Sequence, residues 1–237
     1  MTPSLIFHQL FDPETSTYTY LLGDRESREA VLIDPVIANV DRDLTLLQEL
    51  DLTLIYLLES HVHADHVTGA GELRRRTGAK VAVSRQAKVE CADIHLEDGQ
   101  ELKFGNQTVR ALATPGHTDG CMSFYISGMV FTGDALLIRG TGRTDFQQGS
   151  PEKLYESITK KLFALPDETI VYPGHDYKGQ TSSTIGMEKR HNPRIGGNRS
   201  KTEFVEIMKH LNLSLPNRIA EAVPANMRCG DTKRLAT

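Results

Sequence analysis

The sequence predicts an α/β fold in one compact domain. Three observations carry that expectation: short apolar runs alternate with stretches of helical period, turns rich in glycine and proline close one run after another, and no low-complexity linker divides the 237 residues. A chain of this length buries a substantial core.

Residues 18–22 and 30–33 read as a hairpin joined through Gly23-Asp24-Arg25-Glu26-Ser27, with Asp34-Pro35 closing the second strand. Residues 41–50 follow as an amphipathic helix that carries Leu44, Leu47 and Leu50 on related turns and packs on the sheet. Residues 54–58 are a buried strand, 72–77 a short helix stopped by Gly78, and 80–84 another strand. The Arg74-Arg75-Arg76 run is the solvated face of that helix and takes no binding role. In the second half, 103–104, 108–113, 122–126 and 129–132 are successive strands, with Ser127-Gly128 a tight turn between the last two. Ser150 as N-cap and Pro151 at the first helical position open a helix that reaches Leu165 and buries Leu154, Ile158 and Leu162. A further helix starts near Ser200, where Glu203 completes a capping box, and carries Phe204, Ile207, Met208 and Leu211. From about Lys178 the chain reads as a C-terminal extension of the same domain, 1–237, that helps to build a substrate pocket.

The chemistry concentrates after residues 54–58. His61, His63, Asp65 and His66 form an H-x-H-x-D-H cluster between a strand and a helix. Residues i and i+2 of an extended segment point the same way, and the following turn aims the next carboxylate and imidazole into a shared hollow, as a metal site requires. A polar surface turn is the plain alternative. Three more candidates stand where strands end: His117 in Thr-Pro-Gly-His, Asp134 in Thr-Gly-Asp and His175 in Pro-Gly-His-Asp. Each alone is an ordinary loop residue. The recurrence of strand, turn and ligand is what marks a metal centre.

Bulk properties exclude other classes. The formal net charge of −4 gives no electrostatic reason to expect nucleic acid. No apolar run approaches the roughly 20 residues that span a bilayer, and the N-terminus lacks a basic stretch followed by an apolar core, so neither anchor nor signal peptide is expected. An import segment removed earlier stays open. Cys91, Cys121 and Cys229 are few, odd in number and unpaired by any C-x-x-C spacing, which suggests a reducing compartment, the cytoplasm.

The ordered motifs H-x-H-x-D-H, Thr-Pro-Gly-His117, Gly-Asp134 and Pro-Gly-His175 resemble the metallo-β-lactamase superfamily over about residues 5–177. That resemblance implies an αβ/βα four-layer sandwich of two mixed sheets with metal at one edge. Within the superfamily, residues 133–149 and 222–230 are similar to the persulfide dioxygenases, also called sulfur dioxygenases, of the ethylmalonic encephalopathy protein family; residues 231–237 find no counterpart. This second resemblance implies one iron(II) per chain on His61, His117 and Asp134, with His63, Asp65, His66 and His175 hydrogen-bonded around it. Two imidazoles and a carboxylate on one face suit a non-haem iron oxygenase, but the motif alone does not choose iron over zinc.

The implied substrates are glutathione persulfide and O2, and the implied products sulfite and glutathione. A separate sulfurtransferase or sulfide-oxidising enzyme would supply the persulfide, and dimerisation is common among such proteins. Arg143 and Tyr177 occupy the positions of the family's pocket arginine and tyrosine, with Arg139, Met227 and Arg228 as weaker members. An ion pair with Asp145 is the structural alternative for Arg143. Thr141 departs from the family cysteine in Gly-Cys-Gly-Arg, so no thiol there is essential. Two other functions compete. A glyoxalase II-type thioesterase acting on S-lactoylglutathione would use all seven ligands for two metals. A noncatalytic metal- or thiol-binding sensor would use the site without turnover.

Overall fold

A computed structural model describes residues 4–211, 213–214 and 218–232. Residues 233–237, the end of the stretch without a counterpart, lie outside the described residues.

The first sheet runs in sequence order: β1 (Leu5–Asp12), β2 (Thr17–Asp24), β3 (Glu29–Ile33), β4 (Thr53–Leu58), β5 (Lys80–Ser84) and β6 (Ile94–Leu96). β1 to β3 are antiparallel, whereas β3 to β6 are parallel. Parallel neighbours need crossovers. Two of these are α1 (Val40–Glu49) and α2 (Ala70–Thr77), the latter ended by Gly78 at φ +79°.

The second sheet has the order β12-β11-β10-β9-β8-β7, built from β7 (Glu101–Phe104), β8 (Gln107–Ala113), β9 (Met122–Ile126), β10 (Met129–Gly133), β11 (Ile170–Pro173) and β12 (Ser183–Thr184). Ser127 and Gly128, both at positive φ, make the expected tight turn. The remaining helices are α3 (Pro151–Ser157), α4 (Ile185–His191), α5 (Lys201–Lys209) and α6 (Ile219–Asn226). Ser200 and Glu203 close the capping box at α5 as the sequence predicts.

The layering follows from the period of two along each strand. Tyr20, Leu22, Val31, Ile33 and Leu58 face inward to meet Phe104, Phe124 and Phe131 of the other sheet. Their neighbours Leu21, Leu32 and Leu57 face outward with Leu47 of α1 and Leu73 of α2. Val130 and Val171 face the opposite outer layer with Leu154 and Phe204. Every residue of β2 is buried, because both faces of its sheet are covered.

Some expectations need correction. The helix from Ser150 is not α-helical to Leu165: α3 stops at Ser157 and continues as a π-helical turn over Ile158–Leu162, although Leu154, Ile158 and Leu162 are buried. β1, β6, β12, α4 and α6 were not anticipated. Pro224 inside α6 hides that helix from a propensity reading. Nor do the cysteines all stay unpaired. Cys91 and Cys229, 138 residues apart, form a disulfide, and Cys121 is free and buried. A spacing rule sees only local pairs, so the scattered count carries no argument for a reducing compartment. No described helix is long and apolar enough to cross a membrane.

Candidate metal centre and its pocket

All the candidate ligands lie at one edge of the sandwich, but they come from both sheets. His61, His63, Asp65 and His66 follow β4 of the first sheet; His117, Asp134 and His175 follow β8, β10 and β11 of the second. A bridge between Thr17 of β2 and His175 joins the two sheets there, with Tyr18 N–H donating to Gly174 O at 2.9 Å.

His61, His117 and Asp134 converge. Each offers one ligand atom within 4.8 Å of the others, and the two rings meet edge to face at 4.9 Å between centroids. The surrounding hydrogen bonds select the atoms. His117 Nδ1 lies 2.7 Å from Arg143 O, which only accepts, so Nδ1 carries the proton and Nε2 keeps its lone pair. His61 Nδ1 is held by Ser60 Oγ at 2.9 Å, leaving Nε2 for the centre. Burial pushes the His61 pKa well down, reinforced by the charges of His63 and His117, and keeps the ring neutral. Asp134 gives Oδ1 to His175 and turns Oδ2 toward His117 Nε2 at 3.7 Å. Burial works against its charge, but His175 outweighs this and holds the carboxyl ionised.

Of the other four candidates, His175, Asp65 and His66 are joined by hydrogen bonds, and the His63 ring lies against that of His66. His175 Nδ1 meets Asp134 Oδ1 at 2.7 Å and its Nε2 meets Asp65 Oδ2 at 2.9 Å. Burial alone would strip this ring of its proton, yet the two carboxylates hold its pKa well above the ordinary value. His66 Nδ1 also reaches Asp65 Oδ2, at 2.8 Å. His63 turns toward Asp34 Oδ1 at 3.2 Å and Glu59 Oε2 at 3.5 Å, near enough for charge attraction but off the hydrogen-bond direction. Burial opposes its proton, and the Asp34 and Glu59 carboxylates overcome this and push its pKa up to about 9. His63, Asp65 and His66 do form a second converging group, so the fold holds donors for two ions.

Glycine is needed where the chain crosses the site. A Cβ on Gly142 would lie 2.2 Å from Asp134 O and 2.9 Å from the His117 ring, so only glycine passes without moving two of the converging residues.

The centre opens into a hollow of about 450 Å³. Arg139, Arg143 and Tyr177 line it, as expected from the sequence, but Met227 and Arg228 do not; Met227 borders a different hollow beside Val62 and Ala87. Arg143 spends its guanidinium on the protein. It pairs through two 2.7 Å bonds with Asp145, donates to Ser214 O at 2.6 Å and stacks on Phe146 at 4.3 Å. Arg139 is paired with buried Glu188 at 2.7 Å. Tyr177 stacks on His175 and is 73% exposed, free to meet a ligand. One pocket residue was missed from the sequence: Arg194, on the loop after α4, donates to Thr141 O and Oγ1 and has no carboxylate partner among the described residues. Nothing in its local Asn-Pro-Arg context marks it, because the pocket wall it joins lies some 50 residues away in sequence.

The profile of the metallo-β-lactamase superfamily matches residues 12–175. The mitochondrial persulfide dioxygenase ETHE1 of Homo sapiens is 52% identical over 229 residues, covering 95% of this chain and 89% of that protein. The crystal structure of ETHE1 from Myxococcus xanthus superposes with a TM-score of 0.93 at 56% identity, covering 95% of this chain and 100% of that one. A solved structure in a di-iron-bound form is 30% identical with a TM-score of 0.65, covering 78% of this chain and 98% of its own. The likeness to the ETHE1 proteins spans both the ligand-bearing core and the C-terminal segment, which places this chain in the persulfide dioxygenase family of the metallo-β-lactamase superfamily.

Proposed function

We propose that this protein is a mononuclear non-haem iron dioxygenase that converts glutathione persulfide, O2 and water to glutathione and sulfite. One observation carries the reading: His61, His117 and Asp134 turn lone pairs toward a common point, while His63 and His175 are drawn off by carboxylates. Two imidazoles and one carboxylate fit iron(II) with positions left open. Iron so bound would supply redox activation of O2 beside a soft sulfur ligand.

The chain's own residues do the remaining work. Arg143 O and Ser60 Oγ fix the tautomers of His117 and His61. His175, bonded to both Asp134 and Asp65, ties the ligand carboxylate to the second histidine group. Arg194 is the uncompensated cation for a substrate carboxylate, and burial, which lowers its pKa, raises the advantage of pairing it. Tyr177 offers a phenol at the mouth. Arg143 is assigned to the pocket wall, holding Leu213 and Ser214 in place.

The segment from about 178 belongs in this reading to the same domain, since it supplies Arg194, Leu213 and Ser214 to the hollow. A separate sulfurtransferase or sulfide-oxidising enzyme supplies the persulfide, and a homodimer is the expected assembly. The proposal keeps the cytoplasm as the site of action, although the human relative is named a mitochondrial protein.

Metal analysis of anaerobically purified protein with oxygen-electrode traces tests the whole reading. About one iron per chain and persulfide-dependent O2 uptake with sulfite release are expected. Two metals per chain with O2-independent cleavage of S-lactoylglutathione would overturn it.

A further inference from the structure

The C-terminal segment grips the loop that carries the first ligand cluster. From α6, Asn226 Oδ1 accepts from Thr68 N–H at 2.8 Å, and Nδ2 donates to His63 O at 2.9 Å and His66 O at 2.8 Å. Just beyond, Cys229 O accepts from Gly71 N–H at 2.9 Å. Contact there is close, since a Cβ on Gly71 would come within 2.3 Å of that oxygen. A single covalent link secures the grip, the disulfide from Cys229 to Cys91, whose Cα atoms are 6.1 Å apart. Its two ends differ in access. Cys229 is 3% exposed, whereas Cys91, beyond the end of β5, is only partly buried.

We propose that the Cys91–Cys229 disulfide is a thiol-exchange site through which small thiols set how firmly residues 222–230 hold the metal-ligand loop. A thiolate reaches Cys91 Sγ first. A sulfur–sulfur bond forms between the thiol and Cys91 as the Cys91–Cys229 bond breaks, and the electron pair leaves on Cys229 Sγ, which takes a proton from solvent. A second thiolate attacks the small-molecule sulfur of the mixed disulfide, releases the disulfide of the two small thiols and leaves Cys91 reduced. The same small-molecule disulfide is the oxidant for the reverse reaction. Cys91 and Cys229 pack in the layer of α1 and α2 on the first sheet, while the inter-sheet cluster and the helical layer on the second sheet contain neither cysteine. Opening the bond therefore loosens the grip on that outer layer while the inter-sheet core stays packed. Glutathione, the product of the proposed reaction, is the thiol in question, and only that choice rests on the proposed function.

The test is made on the metal-loaded protein, treated anaerobically with reduced glutathione and then with oxidised glutathione. Peptide mass spectrometry locates the adduct, amide hydrogen exchange reads Thr68 and Gly71, and a chelator reads metal release. A glutathione adduct on Cys91, faster exchange at both amides and roughly tenfold faster metal release are expected, the lower end of what losing groups that orient ligands does. Oxidised glutathione should restore all three. Cys91→Ser should exchange and release metal at the fast rate with or without thiol. A disulfide that survives millimolar thiol, or one that opens while Thr68 and Gly71 keep their protection, would overturn the inference. Because exchange and release are read without turnover, a failure of the dioxygenase reading would leave this result standing.

Discussion

Gly142→Ala adds one methyl at the crossing over the metal centre. The new Cβ would sit 2.2 Å from Asp134 O and 2.9 Å from His117 Cγ and Nδ1. Ordinary carbon contacts lie at about 3.5–4.0 Å, so the two strands of chain must part by roughly 1 Å. That parting stretches the 2.7 Å bond from Gly142 N–H to Asp134 O, and it moves Arg143, whose carbonyl fixes the His117 tautomer at 2.7 Å. Overpacking of this kind costs about 1–3 kcal/mol of stability, and disturbing groups that orient ligands lowers metal affinity roughly 10–100-fold. Gly140→Ala is the matched control. Neither glycine has a positive φ, and the nearest atom to a Cβ on Gly140 is Leu137 Cβ at 3.8 Å, so this variant should stay within about 0.5 kcal/mol of the parent. The assays are denaturant unfolding of both variants and metal retention against a chelator series. Equal retention by Gly142→Ala and the parent, or equal damage from the two alanines, would refute the geometry.

Arg194→Ala should raise KM for glutathione persulfide and lower kcat/KM roughly 10–100-fold, the loss of a charge-assisted hydrogen bond of about 1.5–3 kcal/mol, with iron content unchanged; unaltered kinetics would remove Arg194 from the substrate site. His63→Ala should keep close to one metal per chain yet lose about 3–5 kcal/mol of stability, because Asp34 and Glu59 remain buried without their cation; an apo protein after gentle purification would return His63 to the ligand set. Burial pushes the Cys121 thiol up to about 12, against the hydrogen bonds from Thr118, so an alkylating reagent at pH 8 should leave it unlabelled in the native protein. The unfolded thiol loses its proton near the ordinary value of 9.0 while the folded one keeps it, so stability should fall as pH rises above that value, and Cys121→Ala should flatten the decline.

Local rules made much of this architecture legible. Ser150-Pro151, the Ser200 and Glu203 box and Gly78 punctuate helices by their own chemistry, and the apolar runs 54–58, 108–113, 122–126 and 129–132 marked strands that the fold contains. The converging ligands were visible because each sits where a strand runs into a turn. What stayed hidden depends on distance along the chain. Asn226 reaches His63 across 163 residues, Cys229 reaches Cys91 across 138, and Arg194 joins Thr141 across 53. No periodicity encodes such pairs. The same holds for Arg143, whose pairing with Asp145 is local but whose hold on Ser214 is not.

The division of the ligand set between two sheets has a mechanical consequence. His61 belongs to one half of the sandwich and His117 and Asp134 to the other, so the triad works as a caliper with its jaws on separate plates. Its opening is set by the aromatic filling between the plates, Tyr20, Phe131 and Tyr172 with ring centroids 4.8–5.6 Å apart, none of which is a ligand. A thinner filling would change the span that any ion must bridge, and an ion seated in the jaws would resist the plates sliding past each other.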